Sequence, residues 1–486
     1  MSRPSGHFNK AEKPTLGSAL RGIVNRAVIW HTMCDQAKEA PRMDGQLPRI
    51  KKLNSFQIII LGFASAILLG AVLLALPVSS RNGTFTPPMD CLFTSTSAVC
   101  VTGLIVRDTA THWSQFGQAV LLLLIQVGGI GVVTAAASFA LISGRKISLM
   151  QRSTMQEAMA APKVGGIVRL ALFILRTTFA IELLGAALLA PVFCRDFGLR
   201  GLWMALFHSV SAFCNAGFDL MGEAAPFSSL TRYAANPYLC AVILLLVVSG
   251  GLGFLTWDDV CTHKFRIRRY RMQSKVILSA CAVLILVPAV LFFLFEFGSL
   301  PPGKRLLAAL FQAVSPRTAG FNTVDLGRMG EPGQFVMIAL MLVGGSPGST
   351  AGGMKVTTIA VLFAAAVSTF SRREHAQFFG RRIGDETVKQ AAAIFLMYIV
   401  LFWGGGLAIS ALEGLPMTAC LFEAASAVGT VGLTLGVTPG LGTASRLILI
   451  ALMFFGRVGG LTLIYAALSG KRHSPATLPL ERITVG

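Results

Sequence analysis

The sequence predicts an all-α polytopic membrane protein built from four parallel repeats, and three observations carry that prediction. Of 486 residues, 54% are hydrophobic and only 13% are charged, whereas an average soluble domain carries roughly 25% charged residues. Eight stretches are apolar over the length that a helix needs to cross the hydrocarbon core: 55–78, 115–142, 165–193, 236–257, 274–298, 334–369, 388–412 and 445–469, the sixth of them interrupted. Between successive pairs of these stretches lies a half-length apolar segment followed by a polar, glycine-containing turn, and the arrangement occurs four times.

In chain order, residues 1–52 are polar and basic, with ten Lys or Arg against four Asp or Glu and no apolar core ahead of a cleavage site. That composition predicts a cytoplasmic tail rather than a signal peptide. Within it, the stretch Ser18–Cys34 is interrupted by Arg21, Arg26 and His31, so it either lies on a membrane surface or belongs to a flexible tail. The first repeat is expected over 53–143, the second over 144–260, the third over 261–372 and the fourth over 373–470, with a second tail at 471–486. The half-length segments are 89–99, 201–213, 304–315 and 417–428. At 1.5 Å per residue each is roughly 15–18 Å long, half a bilayer, and reads as a re-entrant half-helix or a surface helix.

Charge sets the orientation. The formal net charge is +20, from 42 Lys or Arg and 22 Asp or Glu. In a soluble chain that excess would point to nucleic acid. Here 29 of the 42 cations lie in the two tails and in the segments 144–169, 258–275 and 371–389. Eight spans put both tails and those three loops on one side, which the excess of Lys and Arg makes cytoplasmic. The expected location is the cytoplasmic membrane, crossed many times, with both termini inside. Each repeat contributes two spans, an even number, so the repeats are parallel and related by an axis along the membrane normal.

The four turns are S-A-V-C-V-T-G-L (97–104), A-F-C-N-A-G-F-D (212–219), S-P-R-T-A-G-F-N-T (315–323) and A-V-G-T-V-G-L-T (427–434). Gly103, Gly217, Gly320 and Gly432 hold matching places, separated by 114, 103 and 112 residues. One such glycine would be an ordinary helix C-cap. Four in register, each after a half-helix and beside Thr, Asn or Ser, point to a central ion pore. Irregular backbone is tolerated in a membrane where it lines a water-filled path. Carbonyls from four loops around an axis can replace the water of a cation, and glycine lets successive carbonyls point the same way. The C-terminal ends of re-entrant half-helices carry partial negative charge, which favours a cation. No Lys lies in the turns. Arg317 is the exception, expected either to pair with an outer carboxylate such as Asp325 or Asp219 or to tune the mouth.

With these turns, the chain resembles the Trk/Ktr/HKT superfamily of potassium transporters, and within it the membrane subunits of Ktr-type systems. The matching pieces are T-S-T-S-A-V-C-V-T-G-L-I-V-R-D-T (94–109), S-A-F-C-N-A-G-F-D-L (211–220), R-T-A-G-F-N-T-V-D (317–325) and F-E-A-A-S-A-V-G-T-V-G-L-T-L-G-V-T-P (422–439), with G-G-S-P-G-S-T-A-G-G-M-K-V-T-T (344–358) and F-F-G-R-V-G (455–460). Trk-type members carry an extra pair of spans before the first repeat, which this chain lacks. The resemblance implies potassium uptake through a selectivity filter. Its carbonyls would fall on Val101, Thr102, Asn215, Ala216, Thr318, Ala319, Thr430 and Val431, beside the four glycines. Potassium would be the transported ion, held at those carbonyls. In HKT relatives a Ser at the first filter position goes with sodium selectivity, and Gly103 stands there here. The resemblance also implies a membrane homodimer within the lipid bilayer, a cytosolic KtrA-like nucleotide-binding regulatory subunit, and room for sodium as an activating ion. No nucleotide site is expected in this chain. The alternative is a sodium-conducting member of the same family.

The interruption of the sixth span is Gly344, Gly345, Ser346, Pro347, Gly348, Ser349, Thr350, Ala351, Gly352 and Gly353, a run that cannot hold a regular helix. It is not a phosphate-binding loop, because Met354 separates Gly353 from Lys355 and Val356 follows the lysine. With apolar sequence on both sides, it is expected to be a loop inside the membrane lining the pore, the alternative being a static kink. In the family the corresponding segment is a gate beneath the filter. Arg457, in the middle of the last span, must face protein or water. It is expected below the filter, donating to carbonyls of the glycine-rich loop, with Lys355 as a second cation near the path and a packing pair with Glu423 as the alternative. Arg176 is expected to pair with Glu182, and Gly128, Gly129, Gly131, Gly250, Gly251 and Gly253 to let helices pack closely.

An intramembrane enzyme is the reading least supported. The nine Cys form no C-x-x-C pair and the seven His no metal-ligand spacing. His208 and Ser209 are adjacent, and adjacent residues on a helix do not face each other.

Overall fold

The computed structural model describes residues 54–142, 147–159, 165–223 and 225–468. The two tails, with Ser18–Cys34, lie outside the described residues. The first unit runs through α1 (Ser55–Ala75), α2 (Pro88–Val99), α3 (Gln115–Ile130) and α4 (Val132–Ile142). A linking helix, α5 (Leu149–Ala158), leads to the second unit: α6 (Ile167–Phe197), α7 (Arg200–Phe213), α8 (Pro237–Gly251) and α9 (Phe254–His263). The third is α10 (Met272–Phe295), α11 (Pro302–Val314), α12 (Glu331–Leu342) and α13 (Val356–Phe370). A small antiparallel hairpin, β1 (Gln377–Phe378) with β2 (Arg381–Arg382), pairs Gln377 with Arg382 and precedes the fourth unit. That unit is α14 (Asp385–Glu413), α15 (Met417–Gly429), α16 (Thr443–Val458) and α17 (Gly460–Leu468). The protein is thus a helical polytopic membrane fold in which one order of elements, long helix, half-helix, turn and second span, occurs four times.

Burial follows hydrophobicity in an order suited to lipid. The long helices α1, α6, α10 and α14 are apolar enough to cross a membrane. They expose one face through residues such as Leu68, Leu69, Leu183, Leu286, Val290, Leu396 and Leu407. The half-helices are the reverse. From Phe93 to Val99, from Met204 to Phe213 apart from Leu206, and from Cys420 to Gly429, nearly every residue is buried. An element buried on all sides needs partners for its hydroxyls. Ser95 donates to the Ile67 carbonyl of α1 at 2.7 Å, and Ser209 to the Glu182 carbonyl of α6 at 2.6 Å. At the far end of two long helices an acid binds the start of the second span in the same unit. Glu296 accepts from the Gly330 amide at 3.1 Å, and Glu413 from the Gly442 amide at 2.8 Å and from the Ser445 hydroxyl at 2.5 Å.

The second spans depart from expectation. The sequence marks only the sixth stretch as interrupted, yet the second span is broken in every unit. The α3–α4 pair bends by 98° at Gly131, and α8–α9 by 100° near Gly253. The break in the fourth unit falls at Gly459 and that in the third at the 343–355 loop. Gly131, Gly253 and Gly459 share one conformation, with φ of 90°, 86° and 88° and ψ of 130°, 139° and 131°. Only glycine enters that region without strain. Three residues earlier, Gly128 and Gly250 have the packing role expected of them, and Gly456 shares it. A Cβ on Gly128, Gly250 or Gly456 would stand 2.2, 1.9 or 2.3 Å from the carbonyl oxygen of Val99, Phe213 or Val428 at the end of a half-helix. These contacts seat each second span under its own turn. Gly253→Ala therefore combines a positive φ with a Cβ 2.7 Å from the Pro347 carbonyl oxygen. It is expected to cost about 1–3 kcal/mol, read as a lowered melting temperature of the detergent-solubilised chain. An unchanged melting temperature would show that the bend relaxes freely.

Candidate functional site

Each turn begins where a half-helix ends, and all four adopt one backbone pattern. Val101, Asn215, Thr318 and Thr430 have φ of 57°, 58°, 76° and 52°. Two residues on, Gly103, Gly217, Gly320 and Gly432 have φ of 91°, 69°, 79° and 93°. The residue between them does not share this left-handed conformation. Alternation of this kind turns successive carbonyls to the same side of the strand. A non-glycine residue in the left-handed region costs roughly 1–2 kcal/mol, so four of them at matching places require the same contacts to hold each one.

Those contacts are recurrent. A serine near the end of each half-helix binds its own turn. The Ser97 hydroxyl accepts from the Gly103 amide at 3.0 Å, and Ser426 from the Gly432 amide at 3.0 Å. Ser211 donates to the Phe218 carbonyl at 2.7 Å, and Ser315 donates to the Phe321 carbonyl. The serine carbonyls accept from Thr102, Ala216, Ala319 and Val431 amides at 2.8–2.9 Å. His208 is no nucleophile's base. Its Nδ1 lies 2.7 Å from the Met204 carbonyl, and its Nε2 accepts from the Leu220 amide at 3.3 Å, just past the second turn. Sequence reasoning passes over these serines, although Ser lies six residues before the glycine in three copies and five before it in the third.

The turns close into a ring. A Cβ on Gly103 would lie 2.4 Å from the Ala216 carbonyl oxygen, and one on Gly217 2.9 Å from that of Ala319. One on Gly320 would lie 2.4 Å from the Val431 oxygen, and one on Gly432 2.2 Å from the Thr102 oxygen. Each unit's glycine thus abuts the carbonyl before the next unit's glycine, and the fourth returns to the first. The residues named as filter positions from the sequence therefore meet in one place, and none of them is charged. Arg317 does not reach into it. Its Nη2 lies 3.0 Å from the Cys281 sulfur of α10, while Asp325 pairs with Arg328 at 3.2 Å and Asp219 accepts from the Met221 amide at 2.9 Å. Its expected acidic partners are thus engaged elsewhere.

On the side where the half-helices begin, carboxylates bridge units. Asp90, buried in the first turn of α2, binds Arg107 and Arg446 at 2.7 Å each and so ties the first unit to the fourth. Glu223 binds Arg200 at 2.7 Å and Arg81 at 3.2 Å. The Arg200 hydrogen bond, helped by Arg81, holds the Glu223 carboxyl below the usual carboxylate range.

The 344–353 loop lies against the other end of the ring. A Cβ on Gly352 would meet the Thr430 hydroxyl at 2.2 Å, and one on Gly353 the Gly429 carbonyl at 2.7 Å. The Thr350 hydroxyl is 3.2 Å from the Asn215 amide and donates to the Phe213 carbonyl at 3.0 Å. Backbone bonds join the loop to two breaks: Ser346 N to Gly251 O at 3.0 Å, Phe254 N to Gly348 O at 2.8 Å, and Gly353 N to Gly456 O at 3.0 Å. Arg457 donates to the carbonyls of Thr350, Gly128 and, at 3.2 Å, Gly129. Lys355 curls back onto its own loop, donating to Ala351 O at 2.8 Å and Gly352 O at 3.4 Å. Glu423 is not the partner of Arg457. It accepts from the Thr434 and Thr438 hydroxyls and from the Leu435 amide at 3.2 Å. Glu182 likewise faces Gln126, 3.0 Å away, and Cys214 rather than Arg176.

The family described as TrkH, cation transport protein, matches residues 24–473. The potassium/sodium uptake protein NtpJ of Enterococcus hirae is 38% identical over 448 residues, spanning 90% of this chain and 98% of that protein. The Ktr system potassium uptake protein B of Bacillus subtilis is 37% identical over 420 residues, spanning 84% and 92%. Among solved structures, the potassium transporter TrkH from Vibrio parahaemolyticus superposes with a TM-score of 0.68 at 19% identity, spanning 87% of this chain and 86% of that one.

Proposed function

This chain belongs to the TrkH family of cation transport proteins, a family of transporters and not of enzymes, and from that membership we propose that it is the ion-conducting membrane subunit of a potassium uptake system. The observation that carries the reading is the closed ring of four turns, in which each glycine meets the carbonyl of the next unit. Potassium, the transported ion, sheds water and is held by the carbonyls of Val101, Thr102, Asn215, Ala216, Thr318, Ala319, Thr430 and Val431 beside Gly103, Gly217, Gly320 and Gly432. The half-helices end at the ring, and their partial negative charge favours a cation there. A negative-inside potential supplies about 2.3 kcal/mol per unit charge per 100 mV, which draws the ion inward without a nucleotide site in this chain.

Below the filter, residues 344–353 with Lys355 and Arg457 form the gate. Support comes from the bonds that join this loop to the breaks of the second and fourth units, and from Arg457, which links the loop to the break of the first. The repeats take the bounds given above, the chain lies in the cytoplasmic membrane, and both tails face the cytoplasm. There the basic loops meet a KtrA-like nucleotide-binding subunit. A second copy of the chain completes a homodimer. Sodium enters as an activating ion or, in a second reading favoured by the name of the Enterococcus relative, as a carried ion.

The test is growth of an uptake-deficient cell at limiting potassium, with the regulatory subunit supplied, together with potassium and sodium fluxes. Rescue with a larger potassium flux is expected. A larger sodium flux selects the second reading, and no rescue removes the proposal.

A further inference from the structure

A cavity of about 210 Å³ is lined by the glycine-rich loop and by none of the ring residues. At ~30 Å³ per molecule it has room for about seven waters, enough for a partly hydrated ion. Its walls are the loop, the breaks of the first and fourth units, the start of α1 and the end of α5. Lys355 and Arg457 line it, and among the described lining residues the carboxylate is Glu157 of α5. The loop carbonyls nearest these cations are engaged, Ala351 and Gly352 by Lys355 and Thr350 by Arg457. Glu157 is exposed on α5 and lies beside Ser55, the first residue of α1. A helix N-terminus favours an anion beside it. The end of α5 also rests on the loop, since a Cβ on Gly348 would come within 3.0 Å of the Met159 carbonyl oxygen.

We propose that Glu157 forms an inner cation site: its carboxylate, sharing this cavity with Lys355 and Arg457, holds a partly hydrated monovalent cation at the inner end of the path. The need for it is electrostatic. An ion that has left the ring must pass two fixed positive charges in a confined space, where charges interact more strongly than in bulk water. A carboxylate at that place offsets that repulsion and raises the local cation concentration. The proposal rests on reading the chain as a cation pathway.

Currents through the full-length chain in a lipid bilayer, with the regulatory subunit supplied and recorded in both directions, provide the test. Glu157→Lys is expected to reduce current entering from the inner side about threefold or more at low salt, with a smaller loss in the other direction. The asymmetry should fade near 1 M potassium chloride, where the Debye length is about 3 Å. Glu157→Gln should fall between the two, and Glu157→Asp should restore the unmodified behaviour. If Glu157→Lys does not reach the membrane, Glu157→Gln alone carries the same salt test. A loss equal in both directions and undiminished at high salt would show a structural role through Ser55 and overturn the proposal. So would unchanged rectification in a conducting chain, which leaves the pathway reading intact. An unmodified chain that carries no cation overturns the pathway reading itself and takes this inference with it.

Discussion

Placing an alanine at each ring glycine in turn should abolish or cripple potassium uptake in a definite order, with Gly432→Ala worst, Gly320→Ala and Gly103→Ala next, and Gly217→Ala mildest. Two costs combine at each position. All four glycines have φ between 69° and 93°, which an alanine adopts only under strain. The new Cβ also meets the neighbouring unit's carbonyl oxygen at 2.2 Å for Gly432, 2.4 Å for Gly320 and Gly103, and 2.9 Å for Gly217. Left-handed strain of about 1–2 kcal/mol and overpacking of about 1–3 kcal/mol make roughly 2–5 kcal/mol. At 1.36 kcal/mol per decade, that is a loss of about 30-fold or more in rate if it falls on the conduction barrier. The contact is with the carbonyl proposed to hold the ion, so selectivity should change along with rate. Gly103→Ser, which adds a hydroxyl at the same place, should shift the potassium-to-sodium flux ratio towards sodium. Uptake by all four alanine variants at the unmodified rate, or Gly217→Ala as the most damaging, would show that the ring does not conduct.

The architecture was legible in this sequence because its two signals are additive. Long apolar stretches and four half-length segments stand out in composition alone, and their repetition sets the parallel order. The breaks at Gly131, Gly253 and Gly459 were not legible, because G-x-x-G inside an apolar stretch reads equally well as close packing or as a bend. The contact at Gly128, Gly250 and Gly456 satisfies the first reading, and the positive φ three residues later imposes the second. What settles the matter is tertiary. Phe254, directly after the bend, gives its amide to Gly348 of the loop, a partner 94 residues away in the chain. The recurrence of the same short pattern in three units was the available signal.

The meeting of the four turns is visible in the sequence as repetition, while the groups that hold them are visible only as a serine with no evident task. Side-chain direction explains the misplaced ion pairs. Arg317 follows the end of α11, and nothing local decides whether it turns towards Asp325 or back to Cys281 on α10. Glu182 and Arg176 are six residues apart on α6, so they do not share a face, and the acid turns to Gln126 of the first unit.

Arg457→Gln should raise basal potassium flux and weaken its control by the regulatory subunit. The guanidinium joins three elements at once, through carbonyls of Thr350 in the loop and of Gly128 and Gly129 at the first break. Hydrogen bonds to a charged donor contribute about 1.5–3 kcal/mol each. Losing even one that is specific to a closed loop would shift a two-state gate by roughly 10- to 150-fold towards open. Glutamine also removes a positive charge from the cavity proposed as the inner end of the cation path, which acts in the same direction. Arg457→Lys separates the two effects. It keeps the charge but lacks the planar fork that spans two carbonyls. If the fork holds the gate, lysine should leak almost as much as glutamine. If charge alone matters, lysine should behave like arginine. Flux and nucleotide response both unchanged in Arg457→Gln would leave this residue as packing, and the loop would then be held by its other bonds, among them those to Gly251, Phe254, Gly456 and Phe213.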